Sequence, residues 1–393
     1  MSEHLHFFET PRAATAVALP FSLEQFILDW GRLRTRMTRQ MPAAFSRDEW
    51  AYLITFLEHD NLLGAYEQTF GRSVSVASVP VGAMARPRGP IAIWLPNNVS
   101  LLGPLTLVLL SLTGNPIRLK GGTKSEDLTG AFLEFATGNA GEGPLRTFLR
   151  ERIQYDVFDR SDARNTEMAA SASQRIVFGA DAAAEAVHRL PHPLESSGFS
   201  FVDRRSEAWL EKSAVEDSVL RDLLKVFAIY GQAGCTSPHR VVLLNGNKEE
   251  VIGMCDRLVE LWPDVIKRKP AMHVASDNVM ARQWAAALGW DARLASDNAA
   301  MFAAGSPELT GFSSMMGLMC VGATTKQALD SLPSNIQTIG HAFANPQDPQ
   351  WLNLLARSRT RRLVPIARMH HFGPVWDGQT YWKQAFDEVE INY

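Results

Sequence analysis

The sequence predicts an α/β protein made of two α/β regions, on three observations. A chain of 393 residues exceeds the usual size of one domain. Short apolar runs alternate with helical segments from about residue 90 to 190. A second alternation of the same kind begins near residue 240. Strands separated by helices pair in parallel, and the helices then cover both faces of the sheet.

Residues 25–70 read as helical, with apolar positions on one face and charge on the other. IAIWLP, residues 91–96, is a short apolar run ending at proline, as a buried strand does. VSLLGPLTLVLLSLTGN then reads as a buried helix stopped at Gly114-Asn115. PIRLKGG is a second strand, and KSEDLTGAFLEFAT a helix with Thr123 or Ser125 near its cap. IQYDVFD at 153–159 and RIVFG at 175–179 continue the strands, and DAAAEAVHRL is an alanine-rich helix. ESSGFSFVDRR reads as a connection, and SEAWLEKSAVEDSVLRDLLKVFAIY as one long helix. RVVLLNG, EEVIGMCDRLVELW and MMGLMCVGA follow as strand, helix and strand. LPSNIQTIGHAF and RRLVPIARMHHFGPVWDG read as glycine- and proline-containing site loops.

Composition excludes several functions. The apolar fraction of 46% and charged fraction of 21% are those of a globular chain. A net charge of −3, from 39 basic and 42 acidic residues, offers no general attraction to nucleic acid or to an anionic membrane. Arg357, Arg359, Arg361 and Arg362 form the best local basic run. Cys235, Cys255 and Cys320 are far apart and make no CxxC, so neither a zinc site nor a disulfide framework is expected. MSEHLHFFET lacks the pattern of a signal peptide, and Val99–Leu112 is too short and interrupted to span a bilayer. A cytoplasmic location is the expectation.

Three short segments carry chemistry on their own. YGQAGCTSPHR, 230–240, sets Cys235 in a glycine-rich turn after a helix. Such a thiol is either a nucleophile at the next helix N-terminus or a small buried apolar side chain. RIVFGADAAAEAV has the form strand, glycine turn, helix, which presents amides to a phosphate; Asp181 there is equally an ordinary cap. WLPNNVS sets two asparagines after a strand, either to donate to an oxyanion or to cap a helix. Cys255 and Cys320 sit in apolar runs and read as core.

Taken in order, these segments resemble the aldehyde dehydrogenase superfamily, and within it the acyl-CoA reductase branch. GPIAIWLPNNVSLLGP aligns with the superfamily's Pro-Trp-Asn-Phe-Pro segment, with Pro96 on its proline and Asn98 on its oxyanion asparagine. Asn97 replaces the tryptophan, and Val99-Ser100 the Phe-Pro pair. NPIRLKGG resembles the strand whose lysine, here Lys120, meets the cofactor ribose or phosphate. RIVFGADAAAEAV is similar to the Phe-x-Gly-Ser segment, with Gly179 and Ala180 beside the dinucleotide. YGQAGCTSP is similar to the Gly-Gln-x-Cys nucleophile segment. ESSG loosely resembles Glu-Leu-Gly-Gly, with Glu195 on the glutamate, Ser197 replacing a glycine and Phe199 the lysine.

The resemblance implies an aldehyde dehydrogenase-like fold with a Rossmann-type nucleotide-binding domain and a second α/β catalytic domain. Its expected divisions are an N-terminal helical region (1–80), the nucleotide-binding domain (81–205), the catalytic domain (206–360) and a returning C-terminal segment (361–393). It implies Cys235, Asn98 and Glu195 as catalytic, and Trp94, Pro96, Lys120, Gly179 and Ala180 as cofactor-binding, with no metal. The expected activity is reduction of an acyl-CoA or acyl-carrier-protein thioester to an aldehyde by NADPH or NADH, through a cysteine thioester. His370 and His371 would assist protonation, hold a carrier phosphate or simply pack. The alternatives are NAD(P)+-dependent oxidation of an aldehyde to an acid, and a non-catalytic acyl-binding or assembly subunit. A homo-oligomer is also implied.

Overall fold

A computed structural model describes residues 14–73, 80–124 and 126–392, in which the chain forms two units. The first comprises residues 14–203 together with 372–392; the second is Arg204–His371.

The first unit opens with β1 (Ala14–Val17) and three helices, α1 (Leu23–Met37), α2 (Arg47–Phe56) and α3 (His59–Phe70). Ser46 and Glu49 form a reciprocal capping box that starts α2. Phe26, Trp30, Leu33 and Met37 recur at helical spacing and give α1 its buried face. After β2 (Val81–Pro87) come β3 (Ile91–Trp94), α4 (Leu102–Ser111), β4 (Ile117–Gly121), α5 (Leu128–Asn139), α6 (Pro144–Glu151) and β5 (Ile153–Val157). Next are α7 (Arg164–Ser171), β6 (Gln174–Phe178), α8 (Asp181–His188) and β7 (Ser197–Phe201).

β3 to β7 make a five-stranded sheet in the order β5–β4–β3–β6–β7, parallel at every pairing. The chain leaves the central β3 toward β4 on one side and later returns to β6 on the other. That reversal opens a crevice at the carboxyl ends of β3 and β6. Residues 372–392 are anchored to this unit by Gln174 Nε2 donating to Tyr381 O (2.6 Å), Asn115 Nδ2 to Ala385 O (2.8 Å) and Trp382 Nε1 to Leu109 O (2.9 Å).

The second unit runs β8 (Arg205–Glu211), α9 (Asp217–Ala228), β9 (Pro238–Leu244), α10 (Lys248–Val265), α11 (Met272–Ala287), β10 (Asp291–Leu294) and β11 (Met301–Gly305). It closes with β12 (Gly317–Ala323), α12 (Thr325–Asp330), β13 (Ile336–Ala342), α13 (Pro349–Arg357) and β14 (Arg362–Pro365). Its seven strands lie in the order β10–β11–β12–β9–β8–β13–β14, parallel except at the β10 edge. In the first unit, β15 (Phe386–Glu390) pairs antiparallel with β2, which also pairs with β1.

Five expectations are corrected. RRLVPIARMHHFGPVWDG, expected as a site loop, contains strand β14, paired in parallel with β13. SEAWLEK is strand β8 and a short turn, so the helix begins only at Asp217. Ser206 to Leu210 are all buried, and a charged residue within that run mimics a helical pattern. ESSGFSFVDRR contains β7, and LPSNIQTIGHAF contains β13, whose polar Gln337 and Thr338 are buried. Asp127, not Thr123, caps α5, accepting the Gly130 N–H at 2.8 Å; Ser125 lies outside the described residues.

Candidate active site

In the first unit, four of the expected residues stand at the carboxyl ends of β3 and β6. Pro96 and Asn98 follow β3, and Gly179 and Ala180 follow β6. Ala180 is the N-cap of α8 and supplies no side-chain hydrogen bond, so the helix start is left to backbone amides. A Cβ placed on Gly179 would meet only the Ala183 Cβ, at 3.7 Å, so the backbone here borders open space. Asp181 sits in the same first turn and opposes an anion placed directly on it. The arrangement fits a dinucleotide lying across the strand ends, with its phosphates clear of Asp181.

Lys120 ends β4. Its Nζ donates to Gly121 O at 3.2 Å and lies 5.4 Å from the centre of the Phe158 ring. Burial lowers its pKa and the Asp159 carboxylate partly opposes that. Asn97 Oδ1 accepts the Lys124 N–H at 3.0 Å and ties the β3 loop to the β4 loop. Two placements differ from expectation. Trp94 is a core side chain with its indole N–H donated to Asn165 Oδ1 at 2.9 Å, so its ring packs instead of lining the crevice. Glu195 is exposed and precedes β7, at the opposite end of the parallel sheet from Gly179. Its backbone carbonyl accepts from Arg88 at 2.6 Å. The structure therefore does not bring Glu195 together with Asn98 and Gly179.

In the second unit, Cys235 is half-buried in the turn between α9 and β9. A strand follows it, so no helix N-terminus stabilises its thiolate. Gly231 (φ 57°) and Gln232 (φ 59°) are both left-handed and reverse the chain out of α9. That conformation costs a glutamine, and its side chain offsets the cost. Gln232 Nε2 donates to Gly317 O (2.8 Å) and Pro238 O (3.1 Å), while Oε1 accepts the Gly317 N–H (3.0 Å). Ser206 Oγ donates to Cys235 O at 2.7 Å and holds the turn from β8. Gln232→Ala is expected to destabilise the protein by about 2–4 kcal/mol, because two carbonyls and an N–H lose their partner. Urea unfolding checks it, and a change below about 0.5 kcal/mol would show that the clamp is dispensable.

Sequence reading left His370 between several roles, and the geometry selects positioning. Its Nε2 bonds Val226 O at 2.6 Å, and its Nδ1 bonds the Thr236 hydroxyl at 2.6 Å. A carbonyl can only accept, so the proton is on Nε2 and Nδ1 accepts from Thr236. A buried neutral imidazole thus fastens the residue beside Cys235 to the last turns of α9. Burial pushes its pKa down to about 4. Unfolded histidine titrates near ~6.5. Above that pH both states are neutral and the stability is intact. As pH falls toward 4 the unfolded chain takes up a proton that the folded chain refuses, costing about 3 kcal/mol. His239, also pushed down to about 4 by burial and by Arg205, acts in the same window. Urea midpoints between pH 7 and 4.5 should fall steeply, and His370→Gln should flatten the slope. An unchanged slope would remove His370 as a source.

His371 has its pKa lowered by burial and by Arg362 and Arg368, and its carbonyl accepts from Arg362 at 3.2 Å. Cys255 and Cys320 are fully buried, and the Cys320 thiol is pushed up by its hydrogen bond with Cys255 and by burial. Both are core. Among the described residues there is no cluster of three or more metal-binding side chains, and no helix is long and apolar enough to cross a membrane.

This architecture is the aldehyde dehydrogenase fold. The chain is similar to an NAD-dependent aldehyde dehydrogenase from Sinorhizobium meliloti (TM-score 0.65, 12% identity, 94% of this chain and 82% of that one). It is similar to the same degree to succinic semialdehyde dehydrogenase from Streptococcus pyogenes in complex with NADP+ (TM-score 0.65, 11% identity, 94% and 90%). A third likeness is 1-pyrroline-5-carboxylate dehydrogenase from Thermus thermophilus (TM-score 0.61, 11% identity, 95% and 82%). The sequence matches the family described as "Acyl-CoA reductase (LuxC)" over residues 81–384, and the chain belongs to that family. No curated protein matches it. The expectation of thioester reduction is corrected here. The solved structures named above are dehydrogenases by name, not acyl-thioester reductases.

Proposed function

We propose that the protein is an NAD(P)+-dependent oxidoreductase that oxidises an aldehyde through a covalent adduct on Cys235. The observation that carries this reading is the turn itself. A half-buried thiol is held between α9 and β9 by Gln232, Ser206 and the Thr236–His370 pair, an investment a merely packed cysteine does not need. The Cys235 thiolate adds to the aldehyde carbon, forming a C–S bond and an oxyanion. Asn98 and a backbone amide near Cys235 are the proposed donors to that oxyanion. A bound nicotinamide would accept the hydride. Pro96, Gly179 and Ala180 would hold it at the strand ends, with Lys120 toward the ribose or phosphates. Water then cleaves the thioester, releasing the acid and returning the thiol. His370, neutral and occupied on both nitrogens, holds the turn and leaves the proton work to other groups.

The substrate under this reading is an aldehyde, in place of a coenzyme A or carrier-protein thioester. Incubation with short, long and aromatic aldehydes and NAD+ or NADP+ should produce reduced cofactor and acid in equal amounts. No reduced cofactor with any pair would overturn the reading. Glu195→Gln is expected to retain turnover, since Glu195 stands at the other end of its sheet from Gly179.

A further inference from the structure

We propose that α11 and the basic segment before it dock the protein onto an anionic lipid surface. Met272, Met280 and Trp284 on this helix are 85%, 71% and 62% exposed. A helical projection places Met272, Ser276, Met280, Gln283, Trp284 and Ala287 within about 120° of one another. No Asp, Glu, Lys or Arg lies on that face; the exposed His273 falls within it, between Met280 and Trp284. The opposite face is buried through Asn278, Ala281 and Ala285, so the helix is held in place without the exposed stripe. Met315, 49% exposed, extends the patch; its N–H donates to Asp277 Oδ2 at 2.7 Å, which fixes it beside the helix.

Immediately before α11, Lys267, Arg268 and Lys269 are all exposed. Cations at one end of an exposed methionine and tryptophan stripe match what a bilayer surface offers: anionic headgroups above an apolar layer, with tryptophan favoured at the boundary. The stripe from Met272 to Trp284 is about 18 Å long, so one helix can lie flat in that boundary. Asp264 faces Arg221 at 3.5 Å, which offsets its charge; Asp277 accepts the Met315 N–H, keeps its charge and stands just past the Trp284 edge of the stripe, within α11 and away from Lys267–Lys269. A second copy of the chain is a poorer occupant. Antiparallel pairing of two α11 helices end to end would set Lys267–Lys269 against residues 290–292, where the one carboxylate, Asp291, is already paired with Arg293 at 2.7 Å. This surface is independent of the role of Cys235.

The test is co-sedimentation of the full chain with vesicles of phosphatidylcholine alone, or with about one third phosphatidylglycerol. Binding is expected only with the anionic vesicles, and high salt should release it. The triple variant Lys267→Gln, Arg268→Gln, Lys269→Gln should bind about 100-fold more weakly. The double variant Met280→Glu, Trp284→Glu should not bind, with circular dichroism and urea midpoint unchanged because both side chains face solvent. Absence of wild-type binding to the anionic vesicles would overturn the proposal, as would full binding by the double variant. Light scattering supplies a further outcome. If the double variant splits an oligomer while neither form binds lipid, the face belongs to a second copy and the proposal fails.

Discussion

Cys235→Ala is expected to lower aldehyde-dependent formation of reduced cofactor by at least about 10³-fold, because no other group supplies the C–S bond on which the proposed reaction rests. The variant should fold. Cys235 is only half-buried, and Gln232, Ser206 and Thr236 hold the turn. Intact-protein mass measurement adds a second readout. Wild type should gain the mass of one acyl group when turnover is quenched, and the alanine variant should not. Cys255 and Cys320 serve as internal controls, since both are fully buried and should stay unmodified in both proteins. Turnover within about tenfold of wild type in Cys235→Ala would end the covalent mechanism.

Arg240→Met is expected to cost about 3–5 kcal/mol of stability. Arg240 and Glu207 face each other across β9 and β8, with Nη2 to Oε1 at 2.8 Å, and their side chains are 13% and 4% exposed. Glu207 Oε2 also accepts the Trp209 indole N–H at 3.1 Å, and Arg240 Nη1 donates to Ser331 Oγ at 3.0 Å. Burial raises the Glu207 pKa despite Arg240, so desolvation outweighs the attraction even with the pair intact. Removing the arginine leaves that carboxylate buried with only the indole and the more distant Arg205. The double variant Arg240→Met, Glu207→Leu should recover much of the loss, because two apolar side chains do not bear the desolvation cost. Urea unfolding of the three variants is the check. Equal stability of Arg240→Met and wild type would show that solvent reaches Glu207.

What was legible of the candidate site was the position of its residues at strand ends. Pro96, Asn98, Gly179 and Ala180 follow short apolar strands and Lys120 lies in the last two residues of one, and strand ends are visible as the place where an apolar run stops. The misread parts depend on partners distant in sequence. Glu207 looked like the polar side of a helix because its arginine stands on the next strand, 33 residues away. His370 was ambiguous because Thr236 and Val226 lie 134 and 144 residues from it. Glu195 fell on a loose motif, and only the register of β6 with β7 reveals which end of the sheet it occupies. Gln232 stood within the quoted turn, yet its importance comes from Gly317, 85 residues on.

By itself, then, the sequence determined the α/β class, the strand ends that offer backbone amides, and the cysteine set in a glycine turn. These follow from periodicity and local steric freedom, which a short window contains. Tertiary structure alone decided the strand order with its reversal at β3, the clamp on the Cys235 turn, the neutral state of His370 and the exposure of the α11 stripe. Each depends on which residues meet across the fold and which are left to water, and burial and hydrogen-bond partnership are properties of the packed chain.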